Sequence, residues 1–178
     1  MNQESFKDWF TDKLLACSQE DAIHITSKKT KPACVLINVS DEIIPTIISG
    51  HSGNVVSYFW FPMNEVKRDI GLNSIYGAMN VMHEAERKGM RVIVHCKAGA
   101  NRSQIIKCAY YSMRAGQQLE DELCHKGVNQ LIRACNRGYL PPKKEMEKFL
   151  RETGNKLIKK GEYLTSLDKI KLKTINNF

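Results

Sequence analysis

No stretch of this chain stays apolar for the roughly 20 residues that a membrane-spanning helix needs. The first residues, MNQESFKDWF, lack the charged-then-apolar order of a secretory leader. Both absences point to a soluble, intracellular protein, with the cytoplasm as its expected compartment. The six cysteines include no Cys-x-x-Cys pair, which speaks against a zinc site and against a dense disulfide framework. There is no internal repeat and no low-complexity block. Five of the cysteines read as reduced, partly buried thiols; Cys96 is the exception.

What is present is ordinary in bulk. The chain has 178 residues, 42% of them hydrophobic, enough for one compact domain with a sizeable core. Its charge is 27 − 19 = +8, and such a surface steers phosphorylated, nucleic-acid or acidic-lipid partners towards it. The lysines thicken after Pro142, where a solvated surface is the plainer explanation.

Residues 1–20 read as one amphipathic helix, with Phe6, Trp9, Phe10, Leu14 and Leu15 at helical spacing. ACVLINVS (33–40) reads as a buried strand, SGHSGN (49–54) as a loop, and VVSYFWF (55–61) as a second strand ended by Pro62. Ile75, Ala78, Met79, Met82 and Ala85 share one face of a helix over 74–88 that Gly89 ends. RVIVH follows as a third strand. Helices are expected over 102–115, over 119–135 and from Lys143 to about Lys156. This alternation predicts an α/β fold, a central and mainly parallel sheet flanked by helices. The expected division is an N-terminal helical extension (1–30), a main domain (31–156) and a basic tail (157–178).

The informative stretch is HCKAGANRS, residues 95–103, at the carboxyl end of the third strand, where such sheets bind ligands. A loop that turns there into a helix start aims backbone N–H groups, and the positive end of the helix dipole, into one concavity. Gly99 supplies backbone freedom, and Ala98 and Ala100 leave the concavity uncrowded. Arg102 offers a forked pair of donors that matches two phosphate oxygens. A cysteine in that field is suited to act as a thiolate nucleophile on phosphorus. Ser103 stands ready to donate its hydroxyl to the sulfur, and His95 to order the loop.

His95, Cys96, Gly99, Arg102 and Ser103 resemble the H-C-x5-R-[S/T] motif of the cysteine-dependent protein tyrosine phosphatase superfamily, and its small dual-specificity branch most of all. The looser likeness runs from about Ala33 to Leu150. It implies a tyrosine-phosphatase-like fold and two-step hydrolysis of phosphate monoesters through a cysteinyl-phosphate on Cys96. Arg102 and loop residues His95, Lys97, Ala98, Gly99, Ala100 and Asn101 would hold the phosphoryl oxygens. No metal and no cofactor are implied. A phosphorylated protein is the expected substrate: phosphotyrosine, with phosphoserine or phosphothreonine in addition.

The resemblance breaks at one point. The family places an aspartate on the loop after the preceding strand, to protonate the leaving oxygen and then activate water. Here that loop reads FPMNEVKRDIG, and the matching position is Asn64 or Glu65. Glu65 is the preferred acid, with Asp69 as the alternative. Two other readings stay open. One is a phosphatase like the RNA 5′-triphosphatase branch, which needs no such acid and which also has asparagine before its arginine, as Asn101 stands here. The other is a phospho-ligand-binding module with little turnover. Lys97 resembles the loops of phosphoinositide phosphatases, a lesser alternative. Tyr58, Trp60 and Phe61 are candidates for a pocket wall, with core packing as the competing role. Cys34 is weighed as a disulfide partner for Cys96 and reads better as a buried thiol. Arg133 or Arg137 is expected near the phosphate side, or in a structural role.

Overall fold

The computed structural model describes residues 3–27, 32–43, 54–64, 71–115 and 125–159. Four strands, β1 (Leu14–Ser18), β2 (Cys34–Ser40), β3 (Val55–Met63) and β4 (Arg91–Cys96), form one sheet in the order β1-β4-β2-β3, and every pair is parallel. The two inner strands are the most buried: all seven residues of β2 are buried, as are the last five of β4. Continuous burial is what a parallel strand covered on both faces requires. The expected α/β class is therefore correct, with the sheet parallel throughout.

Helices α1 (Gln3–Asp12), α3 (Leu72–Arg87), α4 (Arg102–Ala115), α5 (His125–Asn136) and α6 (Lys143–Lys159) supply the larger core, with Val35, Ile37, Val92 and Val94 from the sheet. Helix α2 (Gln19–Thr26) contributes Ala22 to a smaller cluster with Cys17, Cys34, Leu36 and Ile93. Ser18 caps α2, its hydroxyl accepting from the Asp21 amide at 3.1 Å. The expected helices over 74–88, 102–115 and 143–156 are present to within three residues at each end. The helix expected from 119 is described only from His125. Most of the 49–54 loop, Cys124 and nearly all of the basic tail lie outside the described residues.

Two expectations are corrected. The single helix over 1–20 ends at Asp12, and Leu14–Ser18 is a strand. Local spacing suits either form there, and pairing decides between them: Val92 N–H donates to Lys13 O at 2.8 Å and opens the β1–β4 ladder. So the stretch set apart as a helical extension gives the sheet an edge strand. The helix that remains is firmly packed. Phe6, Trp9 and Phe10 are buried, Phe10 lies 4.8 Å from Tyr111 between ring centroids, and Trp9 Nε1 donates to Met90 O at 2.8 Å. Each such side chain contributes about 1.5–3 kcal/mol over leaving it exposed. The second correction is that β3 runs through Pro62 to Met63. As an edge strand, β3 tolerates a proline because one side of its backbone has no ladder to complete.

Candidate active site

The carboxyl ends of β1, β4, β2 and β3 set the site out from one side to the other. Cys96, the last residue of β4, is 2% exposed, and the loop 97–101 turns back to α4. Gly99 N–H donates to Cys96 Sγ at 3.2 Å, and Ser103 Oγ lies 3.5 Å from the same sulfur. Ser103 is fully buried and also donates to Cys17 O at 3.4 Å. The thiol thus has a backbone amide and a hydroxyl directed at it, beside the N-terminus of α4.

The loop is held from outside by β1 and α2. Gln19 N–H donates to Lys97 O at 3.2 Å, and Gln104 Nε2 bridges Gly99 O (3.1 Å) and Ala16 O (3.3 Å). Gly99 has φ +69°, and a Cβ there would stand 2.4 Å from Ser18 N and 2.6 Å from Cys17 C. Both the backbone angle and the close approach to β1 require glycine. The turn is legible from the local sequence; the close approach depends on β1, a strand that local spacing does not reveal.

Arg102 is 7% exposed and turns towards the end of β2. Its Nη1 and Nη2 donate to the two oxygens of Glu42, each at 2.5 Å. Nη1 also donates to Asp41 Oδ1 and to Met63 O, both at 3.1 Å. Asn64 Nδ2 donates in turn to Asp41 Oδ2. The guanidinium beside Glu42 holds that carboxyl well below its ordinary range, at about 2.

The turn that presents these carboxylates has a local cause. Asn38, fully buried in β2, donates to Ile43 O at 2.8 Å and to Tyr58 Oη at 2.9 Å, and its Oδ1 accepts from Ser40 N–H at 2.9 Å. Trp60 Nε1 fastens Ser40 O at 2.7 Å. Tyr58 and Trp60, weighed earlier as pocket walls, thus brace this turn. Phe61 packs on α3, where a Cβ at Gly77 would meet its ring.

Of the residues predicted for the site, Cys96, Gly99 and Ser103 are brought together by the contacts above, while the Arg102 side chain is held by Glu42, Asp41 and Met63 O beyond the ends of β2 and β3. Lys97, Ala98, Ala100 and Asn101 line the exposed loop, and His95 is buried in β4 between Cys17 and Asn38 in register. Glu65 and Asp69 lie outside the described residues, while Asn64 is in the site. Arg133 and Arg137 border a hollow of about 220 Å³ with Asn101, Gln130 and Tyr139. Cys34 opens β2 opposite Arg91 and belongs to the core cluster on the other side from Cys96. Five residues of strand separate the two positions, about 16 Å, too far for a disulfide.

Asp41 and Glu42 were missed. They fall directly after a fully buried strand, at the same kind of strand end that drew attention to Cys96, and that position was the available signal.

The chain belongs to the family of dual specificity phosphatase catalytic domains, which it matches over residues 15–125. Among curated proteins it is similar to Dual specificity protein phosphatase 1 of Arabidopsis thaliana, 29% identical over 85 residues, 47% of this chain and 43% of that one. It therefore spans less than half the length of that relative. Its fold is that of DUSP15 (TM-score 0.53, 17% identity, covering 83% of this chain and 92% of that one) and of Tk-PTP in the active form (TM-score 0.51, 15%, 82% and 94%). PTPMT1 is alike to the same degree (TM-score 0.51, 12%, 82% and 92%). The tyrosine-phosphatase resemblance and the fold it implied are correct. Among the described residues, no helix is long and apolar enough to cross a membrane.

Proposed function

We propose that this protein hydrolyses phosphate monoesters of phosphorylated proteins, phosphotyrosine first and phosphoserine or phosphothreonine in addition, through a cysteinyl-phosphate on Cys96. The observation that carries this reading is the environment of one sulfur. A buried thiol at a strand end receives the Gly99 amide, faces the Ser103 hydroxyl, and shares its loop with Arg102 at the start of a helix. Amides and a helix N-terminus stabilise both the thiolate and the phosphoryl oxygens that replace solvent around it. Arg102 and the amides of residues 97–101 hold the equatorial oxygens while Sγ attacks in line. Ser103 donates to the sulfur when it becomes the leaving group in the second step. Family membership supports the phosphatase class. The comparisons lend no support to an RNA partner.

The test is hydrolysis of p-nitrophenyl phosphate and of matched phosphotyrosine and phosphothreonine peptides. Wild type is expected to show a burst of phenolate and a trapped phosphoenzyme. Cys96→Ser is expected to lose turnover by roughly 10⁴-fold or more. Phosphopeptide binding without any burst would instead favour the binding-module reading.

A further inference from the structure

Two carbonyls of the loop after Cys96 are tied down from outside, Lys97 O by backbone and Gly99 O by the side chain of Gln104. We propose that Gln104, the third residue of α4, is a positioning residue for the site: its amide group turns the Gly99–Ala100 peptide so that the Ala100 N–H faces the bound phosphoryl group. For its part in turnover this role rests on the phosphatase reading above; its part in holding an anion stands on the loop alone.

The first support is a match of donors to acceptors. Gln104 Nε2 lies 3.1 Å from Gly99 O and 3.3 Å from Ala16 O. Both partners are carbonyls, which only accept, so the two N–H bonds of one NH₂ group are both committed. Turning the amide over would set its oxygen against two others, which leaves a single orientation. The clamp joins the loop to the edge strand β1 from the first turn of α4. The second support is direction. In a planar trans peptide the C=O and the N–H that follows it point opposite ways. Gly99 O faces Gln104 and β1, so the Ala100 N–H points away from them, to the open side of the loop. Lys97 O is turned outward in the same manner by the Gln19 N–H at 3.2 Å, which sends the Ala98 N–H to that side too. Between them the Gly99 N–H donates to Cys96 Sγ at 3.2 Å.

Three consecutive amides, those of residues 98, 99 and 100, are thereby directed to the side on which an oxyanion is held. The third support is the weakness that the clamp offsets. Lys97 O is held by the backbone of α2, whereas Gly99 O depends on a side chain. Gly99, at φ +69°, has no Cβ to restrict the peptide that follows it. Without a donor on its oxygen that peptide can rotate and turn a carbonyl towards the phosphoryl oxygens, where like partial charges repel. Gln104 touches neither the sulfur nor the substrate in this arrangement and acts through the loop backbone.

Gln104 is half-buried and borders a hollow of about 430 Å³ with Leu15, Ala16 and Ile25, so a side chain of equal length is accommodated there. Gln104→Met keeps the length and removes both donors. Gln104→Glu keeps the shape and sets a carboxylate against the two carbonyls. Each is compared with wild type for p-nitrophenyl phosphate hydrolysis, orthovanadate affinity, the rate of Cys96 alkylation by iodoacetamide at pH 6, and Tm. In Gln104→Met, kcat/KM is expected to fall about 10- to 100-fold and the vanadate Kd to rise about 10-fold. Alkylation should slow roughly 3- to 10-fold, because a loosened Gly99 amide favours the thiolate less. Gln104→Glu should show the larger loss in each, while both variants keep Tm within about 3 °C of wild type. Wild-type vanadate affinity and alkylation in Gln104→Met overturn the assignment, as do losses that only follow a fallen Tm. Either result with an active wild type leaves the phosphatase reading standing. If wild type hydrolyses no ester yet binds vanadate, that reading fails, and the vanadate affinities of the two variants still decide the role of Gln104. If wild type does neither, both fail.

Discussion

Helix α4 carries an arginine near each end, and each is clamped by a glutamate from elsewhere in the fold, yet the two pairs are built for different ends. Arg114, in the last turn, meets Glu86 of α3 through Nε (2.9 and 3.1 Å) and Nη2 (2.6 Å). Tyr110 Oη also donates to Glu86, and the Phe6 ring lies 5.0 Å from the guanidinium carbon. The Glu86 side chain is 1% exposed. Burial and the neighbouring carboxylate push the Tyr110 hydroxyl well above its ordinary range, so it stays a proton-bearing donor. Arg102, in the first turn, is as well sheltered, but its partners Asp41 and Glu42 are 30% and 37% exposed. A carboxylate sealed in the core can be exchanged for nothing. One that reaches water can yield the guanidinium to an incoming phosphate. The difference in exposure separates a fastening inside the core from a pair at the edge of the candidate site.

The contrast breaks most visibly at Glu86. Glu86→Ala leaves Arg114 charged and without its carboxylate in the core, at a cost of about 3–5 kcal/mol. That corresponds to a Tm lower by roughly 6–20 °C for a chain of this size. Calorimetry should show this loss, while kcat/KM of the folded fraction stays near wild type. If Tm is unchanged, the buried pair is not the fastening described.

Glu42→Gln should reverse the pattern. Arg102 keeps Asp41 and Met63 O but loses the bidentate partner that fixes its plane, and kcat/KM for aryl phosphates is expected to fall about 10- to 100-fold. Tm should move by no more than about 2 °C, because an exposed partner adds little to stability. An unchanged or higher kcat/KM in this variant would mean that Glu42 only competes for Arg102 and does not position it.

Acid sharpens the same comparison. The folded-state pKa of Glu42 lies near 2, below its ordinary 4.5, because Arg102 favours the carboxylate. Its contribution to stability is therefore complete above about pH 4.5 and is lost as pH falls towards 2. The small Tm gap between wild type and Glu42→Gln should close across that window and stay constant from pH 5 to 8.

The smallest effect expected is at Cys34. Cys34→Ser should leave peroxide inactivation, and its reversal by thiols, unchanged, since this cysteine opens β2 well away from Cys96. Mass spectrometry of the oxidised protein should find no Cys34–Cys96 bridge.

Legibility followed contiguity. The Cys96 thiol, Arg102, Ser103 and the glycine turn lie within eight consecutive residues of one strand-to-helix connection. Strands β2 and β4 could be read because burial on both faces demands near-continuous apolar runs. Helices α3, α4 and α6 could be read from one-sided periodicity. Strand β1 could not, because LLACS suits a helix or a strand and its partner β4 lies some 75 residues further on. Pro62 looked like a stop because nothing in the local sequence says that β3 is an edge.

By itself, then, the sequence determined the thiol, its loop and the layered parallel sheet, since each depends on neighbours in the chain or on a repeating pattern of burial. Only the tertiary structure decided that Gly99 must also clear the backbone of β1, and that Arg102 is set by Glu42. The same holds for the meeting of Asp41 and Asn64. These contacts join residues about 20 to 80 positions apart, and their cause is strand order. The sheet puts the ends of β1, β4, β2 and β3 side by side, and no spacing along the chain records which ends become neighbours.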